Sequence, residues 1–316
     1  TIPKGMRDFT SEVMFRRNYI FETIKLAFER YSYTPIQTPA MENIETLTGK
    51  YGDEGDRLIF KILNSGDYFS KVNFDNSANS KSLTQQISEK GLRYDLTVPL
   101  ARFVVQNRND IAFPFKRYQM QNVWRADRPQ KGRYREFYQC DADVIGTDSL
   151  LCEVELVQLY DDVFSQLKIP NIDICINNRK VLNGMVELMG ATDSFEDIVI
   201  TLDKLSAIGL EKTKKELLAK GVRPDSFSIL DAFLSTKNVS DLSSLLSQSE
   251  VGKKGLQELQ FVINNITDLG LQSANLVFDI TLARGLNYYT GCILEVKAND
   301  VQIGSIGGGG RYDDLT

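Results

Sequence analysis

The segment 125–143 combines cationic and polar side chains in a pattern that could bind a phosphorylated substrate. Four arginines and a lysine lie in or beside a turn predicted at residues 129–132. On the strand predicted after this turn, alternate side chains share a face. One face presents an aromatic ring, an amide and two carboxylates: Phe137, Gln139, Asp141 and Asp143. Guanidinium groups beside such a face favour a substrate that carries phosphates and a cationic or hydrogen-bonding group. The alternative is a basic hairpin with a solvated face.

The opposite face of that strand carries side chains that suit a hydrophobic core: Tyr138, Cys140, Ala142 and Val144. Arg125 and Asp127 share a face before the turn, so we expect a neighbouring carboxylate to hold the Arg125 guanidinium while it grips a phosphate. Phe137 could stack on a planar base, although an aromatic ring in a strand is more often part of a core.

Asp95 and Thr97 stand two residues apart. On a strand they would share a face, and the carboxylate and the hydroxyl could together accept hydrogen bonds from an ammonium group. The alternative is that they cap a helix that starts near Val98. The local sequence favours neither interpretation.

A third polar segment lies near the end of the chain. Arg284 precedes a glycine and then Tyr288 and Tyr289, which predicts a turn that places a positive charge beside two hydroxyl groups. The alternative is a hairpin with an exposed arginine and packed tyrosines. The four glycines at 307–310 predict a turn or a close backbone approach to a ligand.

The composition narrows the chemistry that these groups can perform. The chain has 316 residues, a net charge of −5 and no histidine, which excludes histidine triads, histidine metal ligands and an imidazole base. Its four cysteines form no Cys-x-x-Cys pair, so neither a zinc site nor a disulfide framework is expected. No apolar run is long enough to span a membrane and no signal-peptide pattern is present, so we expect a cytoplasmic protein without membrane contact.

Hydrophobic periodicity and turn residues predict an α+β fold in which a helical insertion interrupts an antiparallel sheet flanked by helices. The expected parts are residues 1–178, 179–270 (the insertion) and 271–316. Residues 64–90 are polar and predict a segment with a mobile loop. The expected elements are helices at 10–31, 98–107, 149–167 and 178–189, and strands at 57–63, 92–97, 115–127, 135–145, 171–176, 275–283 and 289–297.

Taken together, these segments resemble the histidyl-tRNA synthetases, a family of class II aminoacyl-tRNA synthetases. The similarity begins at Ile-Pro-Lys-Gly-Met-Arg-Asp (residues 2–8), includes a first class II motif near residues 33–39, and is most specific in the second motif at 125–143. Residues 284–291 resemble the family's histidine-binding signature, and residues 309–313 its glycine-rich motif. The resemblance implies a class II catalytic fold.

The resemblance also implies a reaction and roles. The family joins ATP and histidine as histidyl-adenylate and then transfers histidine to the 3′ end of its tRNA. The residues implied at the histidine α-amino group are Asp95, Thr97 and Gln139, and those at the imidazole are Asp143 and Tyr289, with Tyr288 beside them. The residues implied at ATP are Arg125 on the α-phosphate, Arg133 on the distal phosphates, Phe137 against adenine, and Asp127 in the same block. Arg284 corresponds to the catalytic arginine, opposite Arg125.

This chemistry needs no side-chain nucleophile, because the substrate carboxylate is already ionised and two guanidiniums can stabilise the charge that develops on the phosphate. The resemblance further implies that Mg²⁺ arrives on the ATP phosphates, that protein side chains alone bind no metal, and that the protein is a homodimer built on its first helix and the Pro39 region.

The sequence also departs from the family pattern. Asp127 stands where glutamate is usual and Asn287 where aspartate is usual, and many bacterial members have glutamate at positions 95 and 143. The resemblance ends at Thr316, before the third class II motif and the anticodon-binding domain, so we expect an incomplete catalytic unit.

The alternatives to a catalytic synthetase are a non-catalytic paralogue, such as the regulatory subunit of ATP phosphoribosyltransferase, or a tRNA-sensing domain. Such regulatory subunits typically lose the signature at 284–291 and the arginines of the second motif, which are present here.

Overall fold

The computed structural model describes residues 1–49, 52–70, 72–73, 79–283 and 288–315. This part of the chain divides into two compact units, Thr1–Thr147 together with Leu315, and Asp148–Asp314. The division follows the second-motif hairpin. The boundaries predicted after residues 178 and 270 are a different division and stay predictions.

The first unit contains two small sheets and several helices. Its helices are α1 (Ser11–Arg30), α2 (Ile44–Leu47), α3 (Gly52–Leu58), α4 (Ser80–Ile87) and α5 (Thr97–Asn107). Its strands are β1 (Thr34–Pro35), β2 (Met41–Asn43), β3 (Lys61–Ile62), β4 (Lys90–Leu92), β5 (Phe115–Trp124) and β6 (Glu136–Ile145). One sheet has the order β1-β5-β6 and the other the order β2-β4-β3.

The hairpin of β5 and β6 is the longest paired element of this unit. Its register runs without a break from Phe115 opposite Ile145 to Trp124 opposite Glu136. This confirms the antiparallel pair predicted around the turn at 129–132. Because directly opposite residues share a face, the polar face of β6 is extended by side chains of β5: Arg117 opposite Asp143, Gln119 opposite Asp141, and Gln121 opposite Gln139.

Helix α1 confirms the helix predicted at 10–31 and packs beside this hairpin. Its buried residues are Thr23, Ala27 and Phe28, and the Phe28 ring lies 5.4 Å from that of Tyr118. The hydroxyl of Tyr118 donates to Glu29 at 3.0 Å, and burial together with this bond raises the pKa of Tyr118 to about 12. Ile20 of the same helix is exposed.

Three local predictions in this unit were wrong. Residues 57–63 do not form one strand, because α3 continues to Leu58 and only Lys61–Ile62 pair, with β4. The strand expected at 92–97 does not form, because the pairing of β4 ends at Leu92 and α5 begins at Thr97. Tyr138, assigned to a core, is 42% exposed, and its ring lies 4.6 Å from that of Phe21 in α1.

The segment 64–90 contains α4. The mobile loop expected within it stays a prediction, since residues 71 and 74–78 lie outside the described residues.

The second unit contains a four-stranded sheet and a group of helices. Its helices are α6 (Leu151–Gln166), α7 (Arg179–Leu188), α8 (Phe195–Asp203), α9 (Leu205–Ile208), α10 (Leu210–Ala219), α11 (Phe227–Leu234), α12 (Leu242–Leu245) and α13 (Glu250–Leu269). Its strands are β7 (Ile172–Asn178), β8 (Asn275–Phe278), β9 (Cys292–Ala298) and β10 (Gly307–Gly310), in the order β10-β9-β7-β8. Every described element from α7 to α13 is helical or a single 3₁₀ turn.

The four consecutive glycines form a strand, β10, so the turn, one of the two interpretations given to them, was wrong. They pair antiparallel with β9, Gly307 opposite Val296 and Gly310 opposite Ile293. A Cβ atom at Gly310 would lie 2.5 Å from the carbonyl oxygen of Cys292, and one at Gly307 would lie 2.9 Å from the ring of Tyr160. The glycines therefore allow a close approach between packed elements.

Candidate active site

Asp95 is a helix cap at the start of α5. Its Oδ1 accepts a hydrogen bond from the backbone N–H of Val98 at 3.1 Å, and the residue is buried. Thr97 is the first residue of the helix and is half-buried. Asp95 therefore caps the helix through one of its two carboxylate oxygens, whereas Thr97 is already part of the helix, and the two residues do not share a strand.

Arg93 holds the segment that leads to Asp95. Its buried guanidinium donates to the carbonyl of Asn122 in β5 at 2.8 Å and to that of Thr38 at 2.7 Å. Trp124 N–H donates to the Arg93 carbonyl at 3.1 Å. These bonds attach the loop before α5 to the hairpin, so Asp95 has a fixed position relative to β5.

Arg125 follows β5 directly and lies close to two aromatic rings. The central carbon of its guanidinium is 4.2 Å from the ring centroid of Tyr94 and 5.3 Å from that of Phe137. Its Nε donates to the Tyr94 carbonyl at 3.1 Å. The predicted carboxylate partner is replaced by this carbonyl and these rings, while Asp127 pairs with Arg133 at 3.6 Å. Arg125 is thus oriented by groups that leave its charge available to an anion.

The turn after Arg125 presents Arg133 to solvent. Gln130 and Arg133 close the turn with two backbone hydrogen bonds, of 3.1 and 2.9 Å. Gly132 adopts φ of +77°, a conformation that residues with a side chain rarely adopt. The Arg133 side chain is 60% exposed, so it can reach a ligand without giving up a buried contact.

The polar face of the hairpin contains a buried ion pair. Arg117 is fully buried, and its Nη2 lies 2.6 Å from Oδ2 of Asp143. No guanidinium nitrogen of Arg117 makes a well-directed hydrogen bond to any residue that the structure describes. Gln139, two residues before Asp141, has a buried amide oxygen that accepts no hydrogen bond within the same part of the chain. A ligand donor could satisfy that oxygen.

Asp141 lies at the centre of these groups, although the resemblance gave it no role. Its pKa is raised to about 7: burial is the largest cause, the Asp143 and Asp95 carboxylates act in the same direction, and the Arg117 and Arg125 guanidiniums oppose the rise. The structure therefore brings Asp95, Asp143 and Arg125 together around one acid. The period-two pattern of β6 placed Asp141 on this face and was the available signal for it.

The remaining predicted residues belong to the second unit or lie outside the described part. Tyr289 is buried, and its ring lies 4.8 Å from that of Tyr288, which is 6.3 Å from Tyr312. Beside them, Arg311 donates to both oxygens of Glu153, at 2.6 and 2.9 Å. Arg284 belongs to residues 284–287, which lie outside the described part of the chain.

The described part of the chain contains no cluster of metal-ligating side chains and no membrane-spanning helix. No group of three or more Cys, Asp and Glu side chains there could hold a metal ion. The cysteines are free, and burial raises the pKa of the Cys140 thiol to about 12. No described helix is long and apolar enough to cross a membrane.

Comparison with known proteins identifies the family. The sequence profile of histidyl-tRNA synthetase matches residues 77–316. A histidine–tRNA ligase of Christiangramia forsetii is 56% identical over all of this chain and 71% of its own length, and one of Bacteroides fragilis is 55% identical over 70% of its length. The chain belongs to the histidyl-tRNA synthetase family.

Solved structures of the family agree with this fold. The histidyl-tRNA synthetase of Nostoc sp. PCC 7120 superposes with a TM-score of 0.80 at 31% identity, over 99% of this chain and 69% of that protein. This confirms the predicted class II synthetase fold. A Bacillus halodurans protein, described as an ATP phosphoribosyltransferase regulatory subunit/histidyl-tRNA synthetase, has a TM-score of 0.81 at 23% identity, a likeness that shows the fold alone.

Proposed function

We propose that this protein is a histidine–tRNA ligase. It joins histidine to ATP as histidyl-adenylate and then transfers the histidyl group to the 3′ end of its tRNA. The observation that carries the proposal is the polar face of the hairpin. Gln139, Asp141 and Asp143 follow one another along it, and Asp95 and Arg125 both act on Asp141. Membership of the family supports the same conclusion.

In the first step, the histidine carboxylate attacks the α-phosphorus of ATP. A new oxygen–phosphorus bond forms, the bond to the β-phosphate breaks, and pyrophosphate leaves. Arg125 contacts the α-phosphate and stabilises the charge that develops there, and Arg284 acts from the opposite side. Because both reactants are bound in place, much of the remaining acceleration comes from their orientation.

Each substrate has its own set of residues. Asp95, Thr97 and Gln139 bind the histidine α-ammonium group, and Asp143 with Tyr288 and Tyr289 binds the imidazole. Phe137 stacks on adenine, and Arg133, with Asp127 as its ion-pair partner, reaches the distal phosphates. Mg²⁺ arrives on the ATP phosphates and keeps several of its waters. The enzyme works in the cytoplasm as a homodimer and binds no metal through its side chains alone.

The direct test is pyrophosphate exchange into ATP by the full-length protein. We expect exchange that requires histidine and that no other amino acid supports. A protein that binds ATP but catalyses no exchange with any amino acid is instead a non-catalytic paralogue.

Arg284 gives a sharper test of the mechanism. Its guanidinium is assigned to the transition state more than to the ground state, so Arg284→Ala should lower the exchange rate by about 10²-fold or more, as expected for a lost preorganised donor. Histidine affinity should fall less. Arg284→Lys should restore only part of the rate, because a point charge does not reproduce the fork. An alanine variant with the parental rate would remove the catalytic role from Arg284.

A further inference from the structure

Residues 3–9, near the beginning of the chain, lie against residues 127–135, the longer segment that contains the turn at 129–132. The backbone N–H of Arg135 donates to the Gly5 carbonyl at 2.8 Å, and Nη1 of Arg135 lies 3.5 Å from the Lys4 carbonyl. The Nε of the same side chain donates to the Asp127 carbonyl at 3.0 Å. Arg135 therefore connects residues 4–5 to the first residue of the turn.

Gly5 allows this contact because it has no side chain. Its φ is +86°, and a Cβ atom there would lie 2.8 Å from Cγ of Pro129 and 2.9 Å from Cγ of Arg135. Pro129 is the first residue of the tight part of the turn. The backbone at Gly5 thus packs directly on the turn, and any other residue would have to displace it.

A row of alternating cations and rings continues this contact to α1 and β6. The guanidinium of Arg7 lies 3.3 Å from the ring centroid of Tyr134 and 5.1 Å from that of Phe9. The Arg17 guanidinium lies 4.0 Å from Phe9, 5.2 Å from Phe21 and 5.6 Å from Tyr138. We call this row the arginine–aromatic ladder: Tyr134, Arg7, Phe9, Arg17, Phe21 and Tyr138. It connects the turn to α1 and β6.

We propose that residues 3–9 act as a strap that holds the turn at 127–135 in the conformation that receives the distal phosphates of ATP, with Gly5 and Arg7 as positioning residues. This rests on the function proposed above. The turn concentrates positive charge, and its exposed Arg133 has one described ion pair. Without the strap, ATP binding would have to order the turn, and the free-energy cost of this ordering would weaken the binding of ATP. A turn that is already ordered binds ATP without that cost.

The proposal predicts a selective effect on ATP. In pyrophosphate exchange by the full-length protein, Gly5→Ala should raise the KM for ATP by about tenfold or more, since it adds a steric clash to a strained backbone. Arg7 is exposed, so Arg7→Ala should fold and should raise that KM by about two- to fivefold, the factor expected for loss of its exposed cation–π contact with Tyr134. The KM for histidine should change by less than about twofold in both variants.

Matched variants separate positioning from general damage. Gly66 has φ of +79° with open space around it, so Gly66→Ala introduces the same backbone strain without the clash and should keep the parental KM for ATP. Tyr134→Phe keeps the ring and should behave like the parent, whereas Tyr134→Ala should match Arg7→Ala, and the double alanine variant should be no worse than either alone.

Two outcomes would overturn the strap. The first is a parental KM for ATP in a folded Arg7→Ala variant and in a folded Gly5→Ala variant. The second is an equal rise of the KM values for ATP and histidine, which would indicate general structural damage. If the parent itself shows no histidine-dependent exchange, the proposed function fails instead.

Discussion

Asp143 is held in place by a cation that solvent does not reach. The Arg117 guanidinium lies 2.6 Å from its carboxylate and is fully buried. A buried charge without a partner is strongly unfavourable, so the ion pair holds the Asp143 carboxylate beside the Arg117 guanidinium. A carboxylate oxygen held there can accept a hydrogen bond from an imidazole N–H.

We predict that Asp143→Asn weakens histidine binding and leaves ATP binding almost unchanged. Loss of a charge-assisted hydrogen bond costs about 1.5–3 kcal/mol, or about 10- to 100-fold in affinity. Titration calorimetry with each substrate measures both, with the exposed residue variant Asp148→Asn as a control. Unchanged histidine affinity in a folded variant would remove Asp143 from the site.

Asp141 makes stability depend on pH. Its pKa in the folded protein is about 7, above the value of about 3.9 for an unperturbed aspartate. Between these values the folded state binds more protons than the unfolded state, so the free energy of unfolding falls as pH rises through this window. Asp95, Asp143, Arg117 and Arg125 are the charged groups that act on it.

We therefore predict that Asp141→Asn, which cannot ionise, gains stability relative to the parent as pH rises from about 4 to about 7. The difference should be constant above that range. Urea unfolding of both proteins at several pH values measures it. A difference that does not change with pH would mean that Asp141 has an ordinary pKa.

At the scale of elements, Asp161 of α6 fixes the entry to β8. Its buried carboxylate accepts backbone N–H groups of Gln272, Ser273 and Ala274, at 2.5, 3.0 and 2.8 Å. These donors precede β8 and have no strand partner in the described part of the sheet, so the carboxylate takes the place of a neighbouring strand.

We predict that Asp161→Ala lowers the free energy of unfolding by about 3 kcal/mol or more, since several buried donors lose their acceptor at once. Asp268→Asn, an exposed acid on α13, should change it by less than about 0.5 kcal/mol. Urea unfolding followed by circular dichroism compares the two. Equal effects would show that the Asp161 bonds add little.

The elements differ in how well sequence alone predicts them. The β5–β6 hairpin and helices α1, α6 and α7 were predicted because their signals are local: a Pro/Gly turn and helical periodicity. The glycine strand β10 was not predicted as a strand, because consecutive glycines carry no alternating apolar pattern and glycine is depleted in strands. Arg117 was not selected, since the register of the hairpin sets its burial and its partner.

Prediction of the site residues is limited in the same way: contacts between separate segments are not visible in the sequence. The family motifs marked Asp95, Arg125 and Asp143, and the structure brings these three together. The motifs gave no role to Asp141, because its environment depends on acids and arginines from separate segments. The neighbours of Arg125 were also not predictable, since Tyr94 reaches it from a different part of the chain.

At the scale of the whole molecule, α1 of the first unit presents apolar side chains that are exposed to solvent. Phe15 is 77% exposed and Tyr19 60%, and Leu26 lies further along the helix with half of its surface exposed. Exposed apolar patches of this kind are typical of protein interfaces, which agrees with the homodimer proposed above.

We predict that Phe15→Asp shifts the full-length protein from dimer toward monomer, because a charge at the centre of an apolar interface is poorly paired. Light scattering at micromolar concentration measures the mass. Glu12→Gln, an exposed residue on the same helix, should leave the mass unchanged. A parental protein that is already monomeric would contradict the dimer itself.

The glycine strand has a consequence for how this sequence can vary. At Gly307 and Gly310 the first carbon of any side chain would meet packed atoms, whereas at Gly309 it would meet none within 4 Å. Mutational tolerance in β10 is therefore uneven from one residue to the next: alanine can be accommodated at 309 and excluded at 310. Four identical residues thus face different constraints, and a substitution that persists at one position of this strand is eliminated at the neighbouring position.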